Sequence, residues 1–361
     1  MKRLGISLYP QHSELEVMQQ YILAAAQHDF DRIFTCFMSI KDEEEMSKMK
    51  SILLFAKKNG FEISADLAPT VLEEMNLTYR DIHVLKEQFH LSAIRLDMGF
   101  SGQEEAFMSV DDSNLAIELN ISNGTKYLAN ILSYEANKDR IFGCHNFYPK
   151  KYTGLSRNHF LETSKLYKEQ GIRTAAMISS HHAQYGPWEE TPYGLPTLEE
   201  HRHLPITVQA KDLWHSQLID DLIIGNMYAS EEELEALGRL NRSTLSLKVE
   251  LSDGISQLEQ KIILEEKHFN RGDVSAYVIR STQPRVKYKD ESVPPLAPQT
   301  LMPGDLTIDN DLDIRYKGEL NIVLKEMPNE GKTNVVGKVV ESERFLIHQI
   351  RPWETFSFTM K

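Results

Sequence analysis

Eight times in about 240 residues a short apolar run is followed by helical periodicity, and strand–helix alternation of this kind builds parallel βαβ units. Parallel strands are covered by helices on both faces, so such a chain either closes into a barrel or opens into a doubly wound sheet. The runs are residues 3–9, 31–37, three that reach Asp66, Asp97 and Asn120, and then 141–149, 173–180 and 221–226. No G-x-G-x-x-G or G-x-x-x-x-G-K-[ST] turn follows the first run, which weakens the doubly wound alternative. The expected fold class is α/β: a (β/α)8 TIM barrel over residues 1–240.

The helices between the runs carry their own stop and start signals. Ser13 with Glu16 has the spacing of a capping box, and Ser156 stands where a cap is needed. Met46, Met49, Leu53 and Ala56 form one stripe that stops at Gly60, a glycine suited to a helix C-terminus. Gly171 ends the helix after Ser156, and a last helix spans Ser230 to Leu240. Between the seventh run and its helix lies a long polar loop, His181 to Pro196, with Trp188 in it. Loops of that length are usually functional or disordered.

Past Asn241 the pattern becomes one of half-buried strands. Leu245, Leu247, Val249 and Leu251 alternate, one helix is expected near 255–267, and further strands at 275–281, 306–309, 320–326, 335–340, 344–350 and 355–359. Residues 241–361 are therefore expected to form a small, mainly β domain.

Fifty-three acidic residues against 40 basic ones leave a net charge of -13, which disfavours nucleic acid or an anionic membrane as a partner. No apolar run spans a bilayer. The opening Met1–Pro10 is too short and broken for a signal peptide, so a cytoplasmic location is expected. Cys36 and Cys144 sit in strand-like runs and read as reduced core thiols. Nothing in the sequence sets an oligomeric state.

Chemistry in a parallel barrel gathers at the C-terminal ends of the strands. Strand alternation turns Ser64 and Asp66, Arg95 and Asp97, and Glu118 and Asn120 toward the barrel interior. Asp97, Glu118 and Asp66 are the candidate catalytic residues, because crowded carboxyl groups raise one another's pKa and so supply a general acid. Arg95 reads first as an ion-pair partner of one of them. Neutral polar groups surround these acids at the other strand ends: Tyr9, His145, Asn146, Tyr148, Ser179 and Asn226, with Asn120 beside Glu118. That inventory suits a sugar. His145, His181, His182, Asp97 and Glu118 could ligate a metal, but no H-x-x-x-H or C-x-x-C spacing supports it. No lysine stands at a strand end for Schiff-base chemistry, although Lys150 and Lys151 follow the sixth. No metal and no cofactor are expected.

The opening Gly-Ile-Ser-Leu-Tyr-Pro, the Ile-Arg-Leu-Asp-Met-Gly-Phe and Glu-Leu-Asn-Ile-Ser stretches, and Cys-His-Asn-Phe-Tyr-Pro-Lys-Lys-Tyr-Thr-Gly-Leu together resemble the 6-phospho-N-acetylmuramidase family. Arg271-Gly272-Asp273 followed by Tyr277–Ser281 resembles the opening of its second domain. The resemblance implies a TIM barrel followed by a cyclophilin-like domain. It also implies hydrolysis of the β-1,4 bond between N-acetylmuramic acid 6-phosphate and N-acetylglucosamine, a small phosphorylated disaccharide of peptidoglycan recycling. Arg280 and Lys150 are the candidates for holding its phosphate. The rival reading is a non-enzymatic sensor of sugar phosphates, which would gain nothing from three carboxylates.

Overall fold

The computed structural model describes residues 2–37, 40, 42–188 and 191–361. Met1 and, within the long loop, Glu189 and Glu190 lie outside the described residues. The chain divides into two compact units, Met1–Leu240 and Asn241–Lys361.

The first unit is a closed barrel of eight parallel strands in sequence order. They are β1 Arg3–Ser7, β2 Phe30–Cys36, β3 Glu62–Asp66, β4 Ala93–Leu96, β5 Ala116–Asn120, β6 Ile141–Cys144, β7 Arg173–Ile178 and β8 Asp221–Ile224. Closure is made by β1 against β8, with Arg3 opposite Asp221 and Ile6 opposite Ile224. The helices are α1 Leu15–Gln27, α2 Glu43–Lys58, α3 Pro69–Glu74, α4 Ile82–Phe89, α5 Gln103–Ser109, α6 Tyr127–Leu132, α7 Arg157–Lys168, α8 Ile206–His215 and α9 Glu231–Gly238. Alternation decides what is buried where. Ile63, Ile94, Ile117 and Leu119 are fully buried, while strand neighbours of the opposite parity carry polar groups into the interior. On α2, Met49, Ile52, Leu53 and Ala56 form the buried stripe, with Met46 partly covered.

Ser156 caps α7 by accepting from the His159 amide, and Ser230 caps α9 in a capping box with Glu233. The Ser13–Glu16 box does not form. A 3-10 turn at Pro10–His12 precedes Ser13, and α1 starts at Leu15 with Glu14 as its cap residue. The sixth to eighth strands end earlier than the apolar runs suggest, because residues 145–149 and 179–180 leave the sheet to root the loops of the rim.

The second unit is one seven-stranded sheet, its strands in the spatial order 268–269, 355–360, 245–251, 333–339, 305–309, 320–323 and 278–281. Its elements are β9 Leu245–Leu251, α10 Gln257–Glu265, β10 His268–Phe269, β11 Val278–Ser281, α11 Gln283–Lys287, β12 Asp305–Asp309, β13 Leu320–Val323, β14 Thr333–Val339, α12 Arg344–Ile347 and β15 Thr355–Met360. Residues 344–350, expected as a strand, are instead a helical turn. Three apolar residues in a row do not distinguish the two. The turn is pinned by buried Glu343, whose carboxylate accepts from the Lys248 amide of β9 at 2.8 Å. Among the described residues no helix is long and apolar enough to cross a membrane.

Candidate active site

Parallel register sets the site's lower layer. Asp66 of β3 lies opposite Arg95 of β4, and Arg95 opposite Glu118 of β5. All three side chains enter the barrel. Arg95 reaches Glu118 at 3.4 Å, and Glu118 also receives Arg32 of β2 at 2.9 Å. Arg32 continues to Asp221 of β8 at 2.6 Å, and Asp221 accepts from Arg173 of β7 at 2.9 Å. An ionic chain, Arg173–Asp221–Arg32–Glu118–Arg95, therefore crosses the interior from β7 to β4. Burial alone would raise the Asp221 pKa, but the Arg173 bond and the Arg32 charge outweigh it and hold this carboxyl below its ordinary value. Glu118 is fully buried, with a guanidinium on either side.

Asp66 and Asp97 stand at the open end of this chain. They line a pocket of about 120 Å³ together with Phe34, Cys36, Arg95, Asn146, Phe147, Pro187 and Trp188. Asp66 is nearly buried, and one of its oxygens has no hydrogen-bond partner. Burial pushes its pKa up to about 6; Arg95 opposes the rise, and the charges of Asp97 and Glu118 add to it. Asp97 follows β4 and leaves the sheet, so 38% of its side chain is exposed. It accepts from the Asn120 amide at 3.0 Å and faces Arg95 at 3.9 Å.

The loop behind Asp97 is tightly held. The Glu105 carboxylate accepts from the Phe100 and Gly102 amides, at 2.5 and 2.7 Å. A Cβ on Gly99 would fall 1.7 Å from the Tyr127 hydroxyl. Glycine is required here by close approach, and that approach fixes the residue two positions after the acid.

The apolar part of the lining comes from Phe34 of β2, Phe147 after β6, and Pro187 and Trp188 of the loop after β7. Trp188, 58% exposed, stands edge-on to Phe147 at 6.1 Å, and Phe147 packs edge-on to Phe34. The loop is anchored at both roots. The Asn226 amide donates to the Ser180 and Ala183 carbonyls at 2.8 and 3.0 Å, and the Leu195 amide donates to the Ser179 hydroxyl at 2.8 Å. Near its middle, Gln11 donates to the Pro187 carbonyl, and His12 meets the Gly186 carbonyl.

The candidate residues thus separate by depth. Asp66, Asp97 and Asn146 line the pocket, and Asn120 orients Asp97. Asn146 also accepts from Arg95. Tyr148 lies in the loop after β6, partly buried. Glu118 sits beneath the pocket floor. Tyr9 is fully buried and donates to the Gly225 carbonyl at 2.6 Å. His145 is enclosed between the Ser122 and Ser164 hydroxyls, and burial followed by the Arg95 charge lowers its pKa to about 3. Ser179 and Asn226 are spent on bracing the loop. Lys150 is exposed after β6, and Arg280 lies in the second unit, bonded to Glu319. The residues missed from sequence are Arg32, Phe34, Cys36, Phe147, Pro187 and Trp188. Arg32, Phe34 and Cys36 share one parity on β2, so strand alternation could have found them. The loop residues carry no such signal.

Cys36 and Cys144 form no disulfide. Among the described residues one histidine–acid group has ligand spacing, Glu200, His201 and Asp212. Arg157 already occupies it, bound to both oxygens of Asp212 at 3.0 and 2.6 Å and to Glu200. A cation there would be repelled.

A (β/α)8 barrel brings a nearly buried carboxyl and a more exposed one together beside aromatic side chains, groups of the kind that glycoside cleavage uses, and the chain is a glycoside hydrolase. Its family is specific: the chain belongs to the 6-phospho-N-acetylmuramidases, whose N-terminal family model matches residues 4–239 and C-terminal family model residues 245–359. Among solved structures it is similar to an uncharacterized Bacillus cereus protein, at 47% identity and TM-score 0.93 over 99% of both chains. It also shares the fold of a conserved Enterococcus faecalis protein of unknown function, at 24% identity and TM-score 0.74 over 99% of this chain and 96% of that one. No curated protein matches the chain.

Proposed function

We propose that this glycosidase cleaves the β-1,4 bond of N-acetylmuramic acid 6-phosphate–N-acetylglucosamine, with Asp66 as general acid and Asp97 as the carboxylate at the anomeric centre. The pairing of a nearly buried acid with an exposed one across Arg95 carries the reading. Glycoside cleavage needs one carboxyl that keeps a proton and one that does not. Asp66, pushed up to about 6, holds its proton through the acidic range and delivers it to the leaving oxygen. Asp97, oriented by Asn120, meets the positive charge developing at the anomeric carbon, either directly or by aligning the substrate's own acetamide. Trp188 and Phe147 offer flat apolar faces to a sugar ring.

Glu118 has a different role from the one read in the sequence. It positions Arg95 and Arg32, and it reaches the reaction only through them. The substrate class comes from family membership. In the same proposal the substrate is a cytoplasmic product of cell-wall turnover, and the seven-stranded unit is read as cyclophilin-like.

The direct test is incubation with the phosphorylated disaccharide, followed by mass analysis. Two monosaccharides, one of them phosphorylated, are expected from the native protein and not from Asp97→Asn. An intact disaccharide after prolonged incubation with native protein would refute the assignment.

A further inference from the structure

Tyr316 lies in the segment 310–318, between β12 and β13, and three guanidinium groups surround its ring. Arg285, Arg315 and Arg280 sit 5.3, 5.8 and 5.9 Å from the ring centroid. Arginine stacks on aromatic faces, but three like charges on one ring repel one another and need something to hold them. Part of the answer is Glu319. Its side chain is only 2% exposed; one oxygen accepts from Arg280 at 2.7 Å, and the other forms an ion pair with Arg285 at 3.0 Å without a hydrogen bond. Gly318, at φ +81, brings this corner against α11, where an added Cβ would lie 3.4 Å from the Arg285 Cα. The two arginines thus share one buried carboxylate, Glu319.

Their hydrogen-bonding capacity is only partly used. Arg280 donates Nε to Glu319, and Arg285 meets Glu319 as an ion pair without a hydrogen bond. Arg315 is exposed, and among the described residues it has no carboxylate within ion-pair distance. Arg271 stands nearby through its backbone bond to Arg280, but its guanidinium is bonded to Asp273 at 2.6 and 2.7 Å. Behind Glu319, burial pushes Asp309 up to about 7; a Thr333 bond opposes the rise, and the charges of Glu319 and Asp313 add to it. The cluster is polarised by depth: the Glu319 side chain is 2% exposed, while those of Arg280 and Arg285 are 23% and 27% exposed and Arg315 is exposed outright. Bidentate donors in that arrangement match the oxygens of a phosphate.

We propose that Arg280, Arg285 and Arg315, gathered on Tyr316, form a phosphomonoester-binding site of the second unit whose ligand is the phosphate of a sugar phosphate. The ligand class rests on the reaction proposed above; the site rests on the guanidinium geometry alone. Tyr316 holds the arginines together, and the arginines take the dianion.

The test is calorimetric titration of the full chain with N-acetylmuramic acid 6-phosphate, its unphosphorylated counterpart and inorganic phosphate. Arg315→Ala, at an exposed side chain with no ion-pair partner among the described residues, is compared with Arg285→Ala and native protein, and thermal melts confirm folding. The expected result is at least a tenfold loss of affinity for the sugar phosphate in both variants and no change for the unphosphorylated sugar. A parallel loss for inorganic phosphate supports the site. Unchanged affinity for both phosphate species in both variants overturns it and leaves the assignment of Asp66 and Asp97 intact. Failure of the native protein to cleave the disaccharide, with the tenfold loss still present, would refute the reaction and retain the site.

Discussion

Replacing Asp66 by asparagine separates the two properties that its position combines, because the proton that serves chemistry is retained at the expense of stability. In the folded chain the Asp66 pKa rises from 3.8 to about 6, and at 1.36 kcal/mol per pH unit that gap corresponds to about 3 kcal/mol. The sign follows from linkage. Between pH 4 and pH 6 the unfolded chain loses this proton while the folded chain keeps it, so native stability falls as pH rises through that window and levels off above it. Asparagine does not titrate. The stability of Asp66→Asn minus that of native protein should therefore grow by up to about 3 kcal/mol between pH 4 and pH 7.5, whatever its starting value. Urea unfolding followed by tryptophan fluorescence reads the barrel well, since Trp188 and Trp214 lie there and Trp353 in the second unit. A difference that stayed flat within about 0.5 kcal/mol across that range, or that shrank as pH rose, would show that Asp66 is not held protonated by burial. The same variant should lose at least about a hundredfold in kcat, as expected on removing a general acid.

Three further outcomes are expected. The native kcat/KM should decline as pH rises through about 6, where Asp66 loses its proton, and a profile still rising to pH 8 would exclude it as the acid. Glu118→Gln should destabilise the barrel by about 3–5 kcal/mol, because it strands Arg32 and Arg95 without their shared buried counter-charge; a loss under about 1 kcal/mol in urea would contradict that pairing. Trp188→Ala should raise KM by about tenfold with kcat within about threefold, as loss of a stacking face does, and the reverse split in steady-state kinetics would place Trp188 in the chemical step.

Strand alternation was the most legible information in the sequence. It placed Asp66, Arg95 and Glu118 inside the barrel, because a residue's parity on a strand is a local property. It could not set their depth. Glu118 and Asp97 follow the same inward parity, yet one is enclosed by two arginines and the other is open to solvent. That distinction depends on where β4 stops and on Arg32, which arrives from another strand. His145, Tyr9, Ser179 and Asn226 look like rim residues in one dimension for the same reason. They end apolar runs, but the chain leaves the sheet before reaching them, and their polar atoms are consumed by neighbouring loops. Trp188 was visible only as a bulky residue in a long loop. Its place over the acids depends on anchors at Gln11, His12 and Asn226, each distant in sequence.

The ionic chain through the barrel has a consequence that lies in its parity. Arg173, Arg32 and Arg95 contribute three positive charges; Asp221, Glu118, Asp66 and Asp97 provide four acidic groups. Three cations balance three anions, and the fourth acid has no counter-charge in the row. Asp66, the end carboxyl shut away from water, is the acid whose pKa rises, through burial first and then through the charges of Asp97 and Glu118. Seen this way, the acid at the rim is a remainder left by an odd-numbered row of fixed charges. Neutralising Asp221 beside Arg173, at the far end, would leave three cations against three acids and so remove that remainder without touching the pocket.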